Sequence, residues 1–425
     1  MKDIAEKSLF DIPGSWKTLL WILVILGIGM FIAGLMTGGE ESVVRTWQAF
    51  LINTVFWGGI AHAGVIFAVI WQITDAKWGR AFKRLAEACA GFLPISFLMF
   101  MVVFFGSHVL YEWTHTPFLH HGEAVKQGWL NLPFFISRNV FWLLLIYGIS
   151  YWFVKTSIKP DIALARRLIG SDWGGKFADW VLEDYGEHET EVIRLEKLSR
   201  KIAPVLAFVY SIGGSFLAWD FVMTLDQTWF STLFGVFVMI GNMHAFLGLM
   251  LVVAVTVRQK FGIEEYISIN RLHDLAKMTF AFSLLWTYMG YSQYIVIWYA
   301  DLPEETPYLI IRSMNAPWNT LFLVIILWVF VSVFLGLLPR TLCRMPNYIR
   351  LMGIWVMLGQ LLSVYIMVVP SLQHDGHYHI FMGMHELLIT LGFVGAFFLC
   401  YLAFLGKLPI LPISDKHLCR TWHGH

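Results

Sequence analysis

The chain is poor in charged residues, and this scarcity indicates its class. Asp, Glu, Lys and Arg make up only 14% of its 425 residues, whereas soluble globular chains carry about 25%. Hydrophobic residues make up 58% of the chain, so the composition predicts an integral membrane protein. The formal net charge is only +1, which excludes an argument for nucleic-acid binding from bulk charge.

Cysteine is also scarce. The four cysteines stand singly, at Cys89, Cys343, Cys400 and Cys419. The sequence contains no Cys-x-x-Cys-His motif, which excludes covalent c-type haem, and no run of cysteines suited to an iron–sulfur cluster. We therefore expect no intrinsic redox cofactor, and we expect any haem c or iron–sulfur cluster that works with this chain to lie in partner subunits.

Long apolar runs are the dominant feature of the sequence. Ten of them are long enough to cross a hydrocarbon core of about 30 Å, which needs about 20 helical residues. They lie near residues 16–36, 47–73, 87–111, 134–155, 202–223, 230–257, 274–300, 317–338, 347–369 and 384–406. The first run is longer than the apolar core of a signal peptide. The sequence thus predicts an all-α integral membrane protein with ten transmembrane helices.

Basic residues are distributed unevenly between the loops. Of the 30 Lys and Arg residues, 26 lie in the terminal segments and alternate loops that face one side. The other side holds Arg45, Lys126, Arg138 and Arg312. Because basic residues stay in the cytoplasm during insertion, we expect both termini to be cytoplasmic. The long loop 155–201, rich in both charges, is predicted to be a salt-bridged helical hairpin on the membrane or a docking surface for another subunit.

Three short sequence matches recur in the same order at offsets of 182 to 187 residues. They pair Gly59-Ile-Ala-His62 with Gly241-Asn-Met-His244, Arg84-Leu-Ala-Glu87 with Arg271-Leu-His-Asp274, and Asn131-Leu-Pro133 with Asn315-Ala-Pro317. The matches indicate two copies of a four-helix unit, related by an axis along the membrane normal. We predict one bundle of helices 2–5 and one of helices 6–9, with helices 1 and 10 added. The predicted boundaries are 1–46, 47–229, 230–370 and 371–425.

Ionisable groups inside the predicted helices are candidate functional residues, because hydrocarbon tolerates them only when they are paired or hydrated. His62 and His244 lie near mid-depth of helices 2 and 6, whereas Glu87 and Asp274 lie near the cytoplasmic ends of helices 3 and 7. Asp220 lies near the outer end of helix 5. With the polar run of helix 7, the candidates for a proton path are His62, His244, Glu87, Asp274, Asp220, Tyr288, Tyr291 and Ser292.

These groups permit three interpretations. The first is a proton path with carboxylates at the two faces and neutral histidines at mid-depth, which can gain and lose protons. The second is a b-type haem between His62 and His244, since two imidazoles on facing helices form an axial pair. The third is structural: the histidines hydrogen-bond between helices, and Glu87 and Asp274 form interfacial ion pairs with Arg84 and Arg271.

Two histidine clusters are predicted on the outer face. One comprises His108, His115, His120 and His121, and the other comprises His374, His377 and His379, with His385 just beyond. The His-x-x-His-x-His spacing of the second cluster could hold a divalent metal. The alternative is that loop histidines contact a partner or water.

Four long motifs, in order along the chain, carry a resemblance to a known family. They are Gly128-Trp-Leu-Asn-Leu-Pro-Phe-Phe-Ile-Ser-Arg138-Asn139, residues 219–235, residues 272–282 and residues 291–306. The chain resembles the F subunit of bacterial alternative complex III, and through it the polysulfide-reductase type of membrane anchor. It departs from the family pattern at Gln227-Thr228, where Pro-His is expected, and at Ala276, where Gly is expected.

The resemblance implies a complex of the bacterial inner membrane that oxidises quinol and passes electrons to a cytochrome c or a terminal oxidase. The implied partners are a related membrane subunit, an iron–sulfur protein and c-type cytochromes. The F subunit itself is expected to carry no redox centre and to conduct protons, and a quinone of its own stays open. Two other hypotheses stay open as well: a free-standing secondary transporter with parallel repeats and a subunit that carries b-type haem.

Overall fold

The computed structural model describes residues 13–116, 119–120, 123–124, 126–170, 172–373 and 379–415. Within these ranges the chain is almost entirely helical, and the strands are one short antiparallel pairing of Leu119–His120 with Glu123–Ala124. Nine helices of the described part are long and apolar enough to cross a membrane. This architecture agrees with the predicted all-α, multi-pass membrane class.

Ten long helices, labelled α1 to α10, correspond to the ten predicted runs. Their bounds are Gly14–Thr37, Glu40–Thr74, Arg80–Phe105, Leu132–Ile169, His188–Phe221, Phe234–Phe261, Ile269–Ala300, Trp318–Leu337, Pro346–Val368 and Met384–Leu405. Helix α3 includes 3-10 turns at Arg80–Phe82 and Ala88–Phe92, and α8 includes a π-helical segment at Ile326–Ser332. Helix α7 is long, but it is not among the nine apolar candidates.

The segment predicted as a separate hairpin is mostly an extension of two transmembrane helices. Helix α4 continues to Ile169 and α5 begins at His188, with the short helix Gly175–Leu182 between them. With 38 residues, α4 is about 57 Å long, so it exceeds a hydrocarbon core of about 30 Å. Charged residues at 155–201 indicated where the chain leaves the apolar layer, not where the helices end.

Helix α2 occupies the centre of the molecule. It packs against α3, α5, α6, α9 and α10, and 94% of its most apolar window is buried. Helix α6 packs against α2, α5, α7 and α9. The groups α2–α5 and α6–α9 therefore meet along α2 and α6, while α1 packs mainly on α10.

The first pair of matching motifs comes together at this junction. The amide of Asn242 on α6 lies against Gly59 on α2, where an added Cβ would be only 2.3 Å from Oδ1 of Asn242. The third pair differs in structure. Asn131 caps α4 by accepting a hydrogen bond from the Phe134 amide, and Pro133 lies in the first turn, whereas Pro317 precedes the first residue of α8. Pro133 thus has the first-turn position that suits a residue without an N–H group, whereas Pro317 lies just outside its helix.

Helix α1 is held against α10 by a close approach of two glycines. An added Cβ at Gly27 would lie 2.5 Å from the Cα of Gly392. We expect Gly27→Val to destabilise the protein by about 1–3 kcal/mol, as overpacking of a close contact does. Gly29→Val is the matched control, because no atom lies within 4 Å of an added Cβ there. Thermal unfolding in mild detergent measures both, and equal melting temperatures would contradict the expected packing.

Candidate functional site

A cluster of buried charges lies near the start of α3 and in the second half of α4. Arg84 forms an ion pair with Glu87 and donates from Nε to Oδ2 of Asp161 at 2.6 Å. It also donates to the hydroxyl and the carbonyl of Ser157, at 3.1 and 2.8 Å. Oε1 of Glu87 accepts no hydrogen bond from the described residues, and Nζ of Lys83 lies 4.0 Å from it. Glu87 thus keeps one carboxylate oxygen available inside a paired, buried network.

The C-terminal segment covers this cluster and leaves a polar cavity beside it. The amide of Ser414 donates to Oδ1 of Asp161 at 2.8 Å, and Arg80 forms an ion pair with Asp415 at 2.6 Å. The cavity has a volume of about 130 Å³, and Lys83 and Arg84 contribute to its lining. A cavity needs only about 10–15 Å³ to hold a water molecule, so this space can bring water to the charges.

His62 lies inside the group α2–α5, close in depth to this charged cluster. An added Cβ at Gly64 would lie 3.0 Å from the carbonyl of Ala86, the residue before Glu87. Gly64 and His62 differ by two residues, which is about 3 Å along a helix. The imidazole is buried, and its Nε2 forms no hydrogen bond within the described part of the chain.

Two tyrosines flank His62, and a small cavity continues from it toward the outer face. Its ring centroid lies 4.7 Å from that of Tyr147 and 5.9 Å from that of Tyr210. Oη of Tyr147 is 2.9 Å from Oγ of Ser96. The cavity, of about 40 Å³, is lined by His62 at one end and by Phe221 at the other. It is large enough for water and extends to the residue next to Asp220.

Asp220 forms a buried ion pair at the C-terminal end of α5. Arg138 donates from Nε and Nη2 to the two carboxylate oxygens, both at 2.7 Å, and Asn139 donates to Oδ2 at 2.9 Å. The guanidinium also stacks on the Trp129 ring, 3.8 Å from its centroid. A bidentate, stacked arginine is the arrangement that best compensates a buried carboxylate.

The second bundle places the matching residues differently. His244 is buried, and its Nδ1 lies 2.8 Å from Nε2 of Gln360 on α9. Asp274 forms an ion pair with Lys277 at 3.2 Å, and its side chain is 44% exposed. Its expected partner Arg271 instead donates to the carbonyl of Tyr266. Asp274 and Glu87 occupy matching positions in the sequence, but Glu87 is buried and Asp274 is not.

The polar run of α7 points away from the interior. Tyr288 and Tyr291 are 63% and 59% exposed on the protein surface, and Ser292 donates to the carbonyl of Tyr288 within its own helix. These three residues do not lie with the buried groups of α2–α5. They form a polar stripe on the side of α7 that faces the surroundings.

Most of the two predicted histidine clusters lies outside the described residues, and the packing of α2 on α6 argues against a haem between them. His108 and His115 are neighbours, with ring centroids 5.1 Å apart, whereas the side chains of His120, His121, His374 and His377 lie outside the described residues. No group of three or more potential metal ligands occurs in the described part of the chain. The contact of Gly59 with Asn242, within one turn of both His62 and His244, leaves no space there for a haem between α2 and α6.

Two residues of the site were not among the sequence candidates. Arg138 had been noted as an outer-face cation and Asp161 had been assigned to the cytoplasmic loop, yet both are buried and paired. Arg138 could have been found as one of the few basic residues on the predicted outer side, where Asp220 was the carboxylate in need of a partner. Asp161 could have been found as an acidic residue only a few positions beyond the apolar run of helix 4. Among the described residues, the buried carboxylates Glu87, Asp161 and Asp220 thus lie in α3–α5, whereas buried His244, Arg258 and Arg312 lie outside this group. No protein-family model matches this chain, and no curated protein matches it.

Proposed function

We propose that the chain is a membrane subunit of a respiratory complex that oxidises quinol in a bacterial inner membrane. Its partners would be a related membrane subunit, an iron–sulfur protein and c-type cytochromes, with a terminal oxidase as a further one. Both termini would be cytoplasmic. This chain would carry no redox centre and would conduct protons through α2–α5. The single observation that carries this proposal is the succession of buried titratable groups in that bundle.

The cytoplasmic half of the proposed path begins at the 130 Å³ cavity beside Lys83 and Arg84. Glu87 is the first buried acceptor, because one of its oxygens is free of hydrogen bonds from the described residues. A carboxylate that is fully buried in a membrane protein is costly unless it is used or paired. Arg84 stabilises the charged form, and the free oxygen can take a proton from water in the cavity.

The outer half of the proposed path runs through His62. Neutral imidazole can both accept and donate a proton, and Nε2 of His62 is free of partners within the described residues. The 40 Å³ cavity joins His62 to Phe221, and the neighbouring Asp220 is held by Arg138 at the outer end. Water in this cavity would connect the imidazole with the outer carboxylate.

The exposed stripe of α7 supports membership of a larger assembly. Tyr288 lies near the middle of this helix, too far from its ends for the aromatic belts at the membrane interfaces. A phenolic hydroxyl that faces hydrocarbon without a partner is unfavourable. A neighbouring membrane subunit that covers Tyr288 and Tyr291 would remove this penalty.

The irregular helices argue against the alternative of a secondary transporter. Transporters with internal repeats use interrupted helices at corresponding positions of the two halves. Here the 3-10 turn Ala88–Phe92 interrupts α3, whereas its counterpart α7 is continuous. The π-helical segment Ile326–Ser332 interrupts α8, whereas its counterpart α4 is continuous. The interruptions therefore do not form a matched pair.

The duplicated histidines offer a matched test. We expect His62→Gln to lower proton translocation by the purified complex in vesicles, because Gln cannot take up a proton, while quinol oxidation in the uncoupled complex continues. His244→Gln should have little effect: Nε2 of His244 is also without a partner among the described residues, but the side chain of Asp274 is half-exposed, so no buried carboxylate stands there to pass a proton on. A pH-sensitive dye inside the vesicles measures translocation.

Co-purification provides the companion measurement. The tagged chain, solubilised in mild detergent, should bring multihaem cytochrome and iron–sulfur subunits with it. A chain that runs alone in this experiment would contradict the assignment to a respiratory complex. Equal translocation by the His62→Gln and wild-type complexes would contradict the path while leaving the assembly role in place.

A further inference from the structure

A third cavity lies between α2, α9 and α10. This groove, here called the α2–α9–α10 groove, has a volume of about 610 Å³. Its apolar wall includes Ile52, Leu362 and Leu387, and its polar end includes Arg45 and Gln48. Sites for small organic ligands have volumes of about 300–1,000 Å³. None of the residues proposed for the proton path lines this groove.

Gln48 is the feature that makes the groove more than an apolar cleft. Its side chain lines the groove and is only 3% exposed, yet it forms no hydrogen bond with any described residue. An amide that faces an apolar groove without a hydrogen-bond partner is unfavourable. Gln48 therefore requires a partner that enters the groove and offers both an apolar body and a hydrogen-bonding atom.

The charges beside Gln48 favour a neutral ligand. Arg45 is paired with Glu386, at 2.7 Å between Nη2 and Oε1, and its guanidinium stacks on the Phe381 ring at 4.5 Å. This cation is therefore already neutralised. A phosphodiester head group would find no free cation here and would be repelled by the Glu386 carboxylate.

The position of Gln48 and Asn53 along α2 also favours a neutral ligand. Gln48 lies three residues below Arg45 on α2, and Asn53 lies five residues further, which is about 12 Å below Arg45. Nδ2 of Asn53 donates to the Ala49 carbonyl and to Oγ1 of Thr390, whereas its Oδ1 has no partner among the described residues. A flat ring beside Gln48 fits this depth, whereas the charged head of a phospholipid stays at the surface.

We propose that the α2–α9–α10 groove binds a lipid of the quinone class, with a ring oxygen hydrogen-bonded to Gln48 and the tail along Leu362 and Leu387. The proposal rests on the proposed function in taking the quinone pool as the source of such a ring. A neighbouring groove between α1, α3 and α10 provides the contrast. It has a similar volume, about 570 Å³, but no amide side chain contributes to its lining.

The test uses the purified complex, or the full chain in mild detergent, and a photoreactive azido-ubiquinone analogue. We expect labelling of peptides from α2 and α10, and we expect unlabelled ubiquinone to compete while phosphatidylglycerol does not. Gln48→Leu should weaken the binding about 3- to 10-fold, the effect of one lost hydrogen bond to a neutral group. Leu387→Trp, which enlarges a side chain at the rim, should reduce labelling without touching the amide.

Ala403→Phe is the control, because it narrows the α1–α3–α10 groove instead, and it should leave labelling unchanged. Unchanged labelling in both Gln48→Leu and Leu387→Trp would overturn the proposal. Competition by phosphatidylglycerol equal to that by ubiquinone would also overturn it, since the groove would then hold an ordinary lipid. Labelling is measured without proton or electron transfer, so intact labelling with absent translocation would contradict only the proposed function.

Discussion

Replacing Glu87 by Gln is expected to reduce proton translocation to the level of vesicles that lack the complex. Glu87 is a buried carboxylate paired with Arg84, which lines the 130 Å³ cavity, and the described residues leave its Oε1 free of hydrogen bonds. Gln has the same size but cannot be protonated at this position in the functional pH range. Protons from the cytoplasmic side would then have no acceptor before His62.

The Glu87→Gln chain should still fold and assemble. Arg84 keeps its hydrogen bonds to Asp161 and to the hydroxyl and carbonyl of Ser157. The carbonyl oxygen of the new amide can accept the bond that the carboxylate accepted. Because Arg84 keeps one carboxylate partner, the substitution does not leave an unpaired buried cation. Size-exclusion elution and thermal unfolding like those of the wild type would establish this.

Asp274→Asn is the matched control for Glu87→Gln. The two carboxylates occupy equivalent positions of the duplicated sequence, but Asp274 lies in a half-exposed ion pair with Lys277. Exposed pairs contribute about 0–1 kcal/mol, so this variant should translocate protons and unfold as the wild type does. Normal translocation by Glu87→Gln, or equal losses in both variants, would be incompatible with a path through α2–α5.

Hydropathy predicted where the ten helices lie, but it did not predict how long each of them is. Apolar runs gave each of the ten helices its place because a bilayer selects for about 20 apolar residues. The apolar runs could not predict the extensions of α4 and α5. Those extensions are rich in charged residues, and local ion pairs such as Arg200 with Glu196 stabilise them as helix. Hydropathy also could not show that α7 turns a tyrosine stripe outward, because composition does not report which face is covered.

The candidate site was only partly predictable for a related reason. Buried His62, Glu87 and Asp220 were found because ionisable residues in apolar runs are rare. The sequence duplication then suggested equal roles for His62 and His244, yet their neighbours come from other helices and are not repeated: tyrosines lie beside His62, and Gln360 lies beside His244. Partners supplied by tertiary packing are not visible in a short motif.

Arg138→Met is expected to be the most destabilising of the substitutions considered. Its guanidinium compensates the Asp220 carboxylate through two hydrogen bonds of 2.7 Å, and both side chains are buried. Removing one partner of a buried ion pair leaves an uncompensated charge, which costs about 3–5 kcal/mol. Asn139 would then still donate to the carboxylate, but no cation would compensate its charge. Thermal unfolding in detergent, with the purified chain or complex, measures the loss.

The double variant Arg138→Met with Asp220→Leu separates the pair's contribution to stability from its contribution to transport. Replacing a whole buried ion pair by apolar side chains is often neutral or stabilising, so the double variant should regain most of the melting temperature lost in Arg138→Met. Its proton translocation should nevertheless stay low, because the outer carboxylate of the path is gone. Recovery of both stability and translocation would mean that Asp220 only anchors α4 to α5. Recovery of stability alone would assign Asp220 to the path.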